Sequence, residues 1–119
     1  MRADEYTALD GTALAALVAK GEVTRDEVLD AALARLAERG PAINAVVALS
    51  EDQARSAAAD GPFAGVPTLI KDLGCDVAGL PTGNGSRLFR GADPATEDRT
   101  VTARLRAAGC GILGKSGTP

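Results

Sequence analysis

Gly61-Pro62-Phe63-Ala64-Gly65-Val66-Pro67-Thr68-Leu69-Ile70-Lys71-Asp72 is the stretch whose reading decides the fold. Gly61-Pro62 is a turn dipeptide. Val66 to Ile70 are apolar or β-branched, which predicts a strand. Val66, Thr68 and Ile70 fall on one face and Pro67 and Leu69 on the other. With both faces apolar, the pattern is that of a strand covered on both sides, as in a parallel sheet under helices. Lys71 falls where the strand runs out, and open α/β sheets hold ligands beyond the carboxyl ends of their strands. Lys71 is therefore the candidate site residue.

Working outward, the segment before this strand is helical. Leu14, Leu17 and Val18 predict a helix over 12–20, stopped at Gly21. Thr24 opens a second helix, with Glu27 three residues on completing a capping box. Val28, Leu29, Ala32, Leu33 and Leu36 give it one apolar stripe, and Gly40-Pro41 predicts its end. The run 43–49 predicts a buried strand, and Ser50 a cap for a helix over 51–59. After Lys71, Cys75 to Ala78 read as a short strand or a bulged extension of the first.

Gly79-Leu80-Pro81-Thr82-Gly83-Asn84-Gly85-Ser86 is a glycine-dense loop that matches no phosphate-binding fingerprint. Residues 91–97 form another loop. Asp98 then predicts an N-cap for a helix over 99–108, with Val101 and Leu105 inward and Gly109 as its stop. Gly111 to Gly114 form a last buried strand ending at Lys115. A right-handed crossover sets the two strands parallel, with Lys71 and Lys115 at one carboxyl edge. The fold class is α/β: N-terminal helices followed by part of a mixed, mostly parallel sheet with covering helices.

Composition bounds the function. The 119 residues are 45% hydrophobic and 24% charged, with a net charge of -3, the balance of one globular domain. One Tyr, two Phe and no Trp leave no stacking aromatics on a basic surface, which argues against nucleic-acid binding. No histidine is present, so a His-based triad and most zinc sites are excluded within the chain. Cys75 and Cys110 form no CxxC motif and read as small apolar packing residues. The first ten residues lack the apolar segment of a signal peptide. No apolar run approaches the ~18 residues of a membrane span. The expectation is a cytoplasmic protein with no membrane partner.

The 61–72 stretch resembles the amidase signature family. The likeness continues through Ala78-Gly79-Leu80-Pro81-Thr82 with Gly85-Ser86, through Thr102-Ala103-Arg104-Leu105-Arg106-Ala107-Ala108-Gly109, and through Ile112-Leu113-Gly114-Lys115. The resemblance implies hydrolysis of a carboxylic amide to acid and ammonia or amine by a Ser–cis-Ser–Lys triad without a cofactor. It matches Lys71 to the triad lysine and Lys115 to a lysine outside the triad. The two serines and the oxyanion-hole segment of that family lie beyond the equivalent of Pro119. None of Ser50, Ser56, Ser86 and Ser116 has the Gly/Ser-rich context. The resemblance thus implies an incomplete amidase signature fold, residues 1–119 being the N-terminal portion of one domain, inactive alone. It implies a small-molecule amide as substrate and leaves open a homodimer of the full-length protein.

Such chemistry makes a definite demand on Lys71. A serine hydroxyl needs a base, and a neutral amine can serve. An unperturbed lysine, with pKa ~10.4, is neutral in only about one molecule in a few thousand at pH 7. Burial lowers the value, whereas a paired carboxylate holds the proton on. Asp72 is the nearest such carboxylate in sequence, but consecutive strand residues point to opposite faces. Two other readings are open: the amide-hydrolysing component of a glutamyl/aspartyl-tRNA amidotransferase (its A-type chain), and a non-catalytic truncated remnant. Against the first, Lys71-Asp72-Leu73-Gly74 lacks the Asn that commonly follows Lys-Asp in that component. The second expects exposed sheet edges and apolar faces.

Overall fold

The computed structural model describes residues 1–119. Its elements are α1 (Ala3–Thr7), α2 (Gly11–Ala19), α3 (Arg25–Ile43), β1 (Val46–Leu49), α4 (Glu51–Arg55), β2 (Pro67–Lys71), α5 (Thr100–Ala107) and β3 (Gly111–Ser116). A single 3-10 turn, Arg87–Phe89, interrupts the long loop after β2.

The sheet has three strands in the order β1-β3-β2. β2 runs parallel to β3, as the crossover through α5 predicts, and β1 runs antiparallel to it. The sheet is therefore mixed, and β3 is its only central strand. That explains the burial. Gly111 to Lys115 are all buried, while β1 and β2 are edge strands with one open side each.

The double coverage expected of β2 holds for one face only. Val66 and Ile70 are buried, but Leu69 is 37% exposed and Lys71 is exposed. β1 is shorter than the predicted run and half-exposed, because no second neighbour covers its outer edge.

Two segments of the core hold the helices to this sheet. Leu14 of α2, Val28 of α3 and Val66 form one cluster, backed by Tyr6 and Leu9. Leu29 of α3, Ala54 of α4 and Leu113 of β3 form another. The Thr24–Glu27 capping box is present: the Thr24 hydroxyl accepts from Glu27 N at 3.1 Å, and Thr24 N donates to Glu27 Oε2 at 2.7 Å.

α3 does not stop at Gly40-Pro41. It carries Pro41 within its last turn and ends at Asn44, whose left-handed φ of 50° lets Ala45 N reach Gly40 O. Pro41 lacks the N–H that would bond Ala37 O and crowds that carbonyl, so the helix runs on only two residues past it before the left-handed exit at Asn44. α4 is shorter than expected, and the Ser50 side chain makes no cap. Cys75 to Ala78 form no strand; one bridge, Ala78 to Ala95, is all that pairs there.

Gly61 and Gly109 explain why the turn before β2 can lie against the end of α5. Gly61 has φ +104°, and a side-chain carbon there would sit 2.5 Å from the Ala108 carbonyl. Gly109 has φ +91°, with Ala64 Cα 2.7 Å from the position a Cβ would take. In this crossing Phe63 N donates to Ala108 O, Gly65 N to Gly109 O and Gly111 N to Val66 O. These bonds set the β2–β3 register that places Lys71 beside Ser116.

Candidate active site

The carboxyl ends of β2 and β3 carry two lysines in different circumstances. Ile70 is paired with Lys115 and Lys71 with Ser116, so the two lysines project from opposite faces of the sheet. Lys71 shares its face with Pro67 and Leu69, and its side chain is exposed. An open groove of ≈ 300 Å³ lies along this face, lined in part by Tyr6, Leu36, Pro67, Leu69 and Leu113. Lys71 makes no ion pair, and Ser116 stands next to it on the central strand.

Lys115 is wholly buried, at 0% exposure. Its Nζ donates to the Cys75 carbonyl at 2.5 Å and to Thr82 Oγ1 at 2.9 Å, and lies 3.8 Å from Asp72 Oδ1. An ammonium out of water needs oxygen partners on every side, and this one has three. Asp72 is 7% exposed and also accepts from Gly83 N at 2.9 Å. The Thr82 hydroxyl in turn donates a hydrogen bond to Asp76 Oδ1 at 2.8 Å. The Thr102 hydroxyl donates to Asp76 O, and Arg99 meets Asp76 Oδ2 at 3.3 Å. The glycine-dense loop is thus bound to the sheet end by one continuous polar network. Under it lie Ile70, Val77, Leu80 and Ile112, with Cys75 and Leu105 against them.

Sequence placed both lysines at this edge correctly but did not separate their faces or find the network. A signal was there. Lys115 closes a strand, Gly111-Ile112-Leu113-Gly114, that is buried on both faces, and a lysine in such a strand must meet acceptors. Asp72, Asp76 and Thr82 are the polar residues that follow β2.

Asp98 also has a role other than the expected one. It does not cap α5, whose first turn starts after Arg99 without a side-chain cap. Instead its Oδ1 accepts from Ala78 N at 2.8 Å and its Oδ2 from Arg106 Nε at 2.6 Å. Burial by itself would raise the Asp98 carboxyl. The Arg106 hydrogen bonds and charge, with the Ala78 N–H, outweigh that and hold it below the usual carboxylate value. Val101 turns outward, and Thr102 takes the inward position instead. Cys110 is buried, which pushes its thiol up.

No group of three or more Cys, Asp and Glu side chains is arranged to hold a metal. No helix is long and apolar enough to cross a membrane.

Comparison with known proteins places this arrangement. The family described as Amidase matches residues 27–119. The chain is 42% identical over 113 residues to the 6-aminohexanoate-cyclic-dimer hydrolase of Paenarthrobacter ureafaciens, covering 92% of this chain and 23% of that protein. It is 37% identical over 123 residues to the A-type chain of the glutamyl-tRNA(Gln) amidotransferase of Salinispora arenicola, covering 94% of this chain and 25% of the relative. Among solved structures, a 6-aminohexanoate cyclic dimer hydrolase superposes with a TM-score of 0.86 at 39% identity, over 93% of this chain and 24% of the other. A bacterial aryl acylamidase of the amidase signature family superposes with a TM-score of 0.85 at 28% identity, over 93% and 25% respectively. The chain spans about a quarter of the length of these relatives.

Proposed function

The chain belongs to the amidase family, and we propose that it serves the hydrolysis of a small carboxylic amide, with Lys71 as the base. The observation that carries the reading is the position of Lys71. It ends a strand at the carboxyl edge of the sheet, with its side chain open to an adjoining surface and Asp72 turned to the far face. In its neutral form the amine accepts the proton of a serine hydroxyl, by way of a second serine. The resulting alkoxide attacks the amide carbonyl, and the proton returns to the leaving amine as the C–N bond breaks; water, giving up a proton by the same relay, then attacks the acyl-serine ester and releases the acid and the free serine. Both serines would come from the part of an amidase domain that this quarter does not span. The chain alone is then inactive. The 42% identity to a hydrolase of a cyclic amide favours small amides as the substrate class.

The test is a chimera in which residues of this chain replace the matched segment of the 6-aminohexanoate-cyclic-dimer hydrolase. The chimera should release product, and Lys71→Ala in it should remove at least ~10²-fold of the turnover. An active chimera indifferent to Lys71→Ala overturns the assignment.

A second reading, the A-type chain of a glutamyl-tRNA amidotransferase, is favoured by the 37% identity to such a chain. Ammonia release from simple amides by the chimera, with neither tRNA nor partner chains present, supports a stand-alone amidase. The matching chimera in the amidotransferase, active only with its partners, would support the other.

A further inference from the structure

We propose that Lys115 is a positioning residue for Lys71: by pairing with Asp72 on the far face of the sheet, it keeps the nearest carboxylate from stabilising the Lys71 ammonium. The inference rests on the reading of Lys71 as a base.

Asp72 follows Lys71 directly and is the nearest carboxylate to it in the chain, on the opposite face of the strand. Two features neutralise it. The carboxylate accepts from Gly83 N at 2.9 Å, which turns it inward, and the fully buried Lys115 ammonium stands 3.8 Å from its Oδ1. Lys71 then faces a paired dipole rather than a free negative charge. Lys115 can stay in place because the Cys75 carbonyl and Thr82 Oγ1 hold its other donors. The remaining charges of the network, Asp76 and Arg99, pair with each other. On Lys71's own face, α3 contributes Arg35 at the Leu69 groove, itself paired with Glu38. Asp72 is therefore the carboxylate whose release would reach Lys71.

The chain has three lysines, Lys20, Lys71 and Lys115, so their amines can be followed one by one. The 119-residue chain is reductively methylated with ¹³C-formaldehyde, and the Lys71 dimethylamine resonance is titrated by NMR. Lys115→Met should raise the Lys71 midpoint by about one pH unit, because Asp72 is ionised and unbalanced at the alkaline pH where an amine titrates. Asp72→Asn added to Lys115→Met should return the midpoint to the wild-type value, a rescue that a purely structural lysine would not allow. An unmoved midpoint in Lys115→Met overturns the proposal. Asp72→Asn alone keeps the carbonyl that accepts from Gly83 N but leaves the Lys115 ammonium without its counter-charge, so the midpoint should fall. A midpoint unmoved in Asp72→Asn would show that Lys71 senses neither charge of the pair, and overturns the proposal even if Lys115→Met does not fold. These titrations need no turnover, so their failure is distinct from failure of the chimera to hydrolyse an amide.

Discussion

Replacing Lys115 by Met should destabilise the chain by about 4–5 kcal/mol at neutral pH, and the loss should shrink in acid. Methionine keeps the apolar stem but removes the ammonium that faces Cys75 O, Thr82 Oγ1 and Asp72 Oδ1. The Asp72 carboxylate, 7% exposed, is then left without a cation. Such a broken buried pair costs about 3–5 kcal/mol. Protonation sets a ceiling on that figure. An ordinary carboxyl, with pKa ~3.9, takes up a proton at pH 7 for about 4 kcal/mol and at pH 5 for about 1.5 kcal/mol. The Cys75 carbonyl, stripped of its donor, adds about 1 kcal/mol at either pH. The penalty should fall from about 4–5 kcal/mol at pH 7 to about 2–3 kcal/mol at pH 5. Adding Asp72→Asn, which removes the stranded charge, should recover at least about 2 kcal/mol at pH 7. Urea unfolding followed by circular dichroism at both pH values measures all three. A penalty below about 1 kcal/mol at pH 7, or one equal at both pH values, would refute the reasoning.

Asp98 gives a second pH dependence, on a different pair. Its folded carboxyl lies below its ordinary value, so the stability it supplies is present above about pH 4 and is lost as pH falls through the folded value. Arg106→Met should cost about 1–2 kcal/mol at pH 7 and less at about pH 3; equal losses at the two pH values in urea melts would contradict the pairing. Gly61→Ala should cost about 2–4 kcal/mol, because φ +104° is strained for alanine and the new methyl group meets the Ala108 carbonyl at 2.5 Å. A thermal midpoint unchanged from wild type would show that the two turns do not touch as described.

The sequence reading succeeded where a local pattern and a tertiary need coincide. The capping box at Thr24, the strand ending at Lys71 and the strand ending at Lys115 are each local patterns, and each is present. The parallel β2–β3 pair followed from the helix between them. Sequence misled where the outcome depends on how many neighbours an element has: β2 read as covered on both faces and 43–49 as buried, and both strands lie at sheet edges. An apolar strand such as β2 looks the same whether it lies in the middle of a sheet or, as here, at its edge. The end of α3 was misplaced because Pro41 can sit in a final turn when Asn44 supplies the left-handed exit. Asp98 precedes α5 as a cap would, yet Arg106, two turns on, competes for its carboxylate and wins. The polar network at the candidate site joins residues as far apart in the chain as Asp72 and Lys115. No local pattern carries that, beyond the presence of a lysine at the end of a fully buried strand.

The central claim is that Lys71 is the base of an amide hydrolase. The most direct test compares two chimeras of the 6-aminohexanoate-cyclic-dimer hydrolase bearing this chain in the matched segment, one unaltered and one with Lys71→Ala, by their rate of amide hydrolysis at equal folded concentration. The account predicts turnover in the first and a loss of at least ~10²-fold in kcat in the second. Equal rates in the two would contradict it.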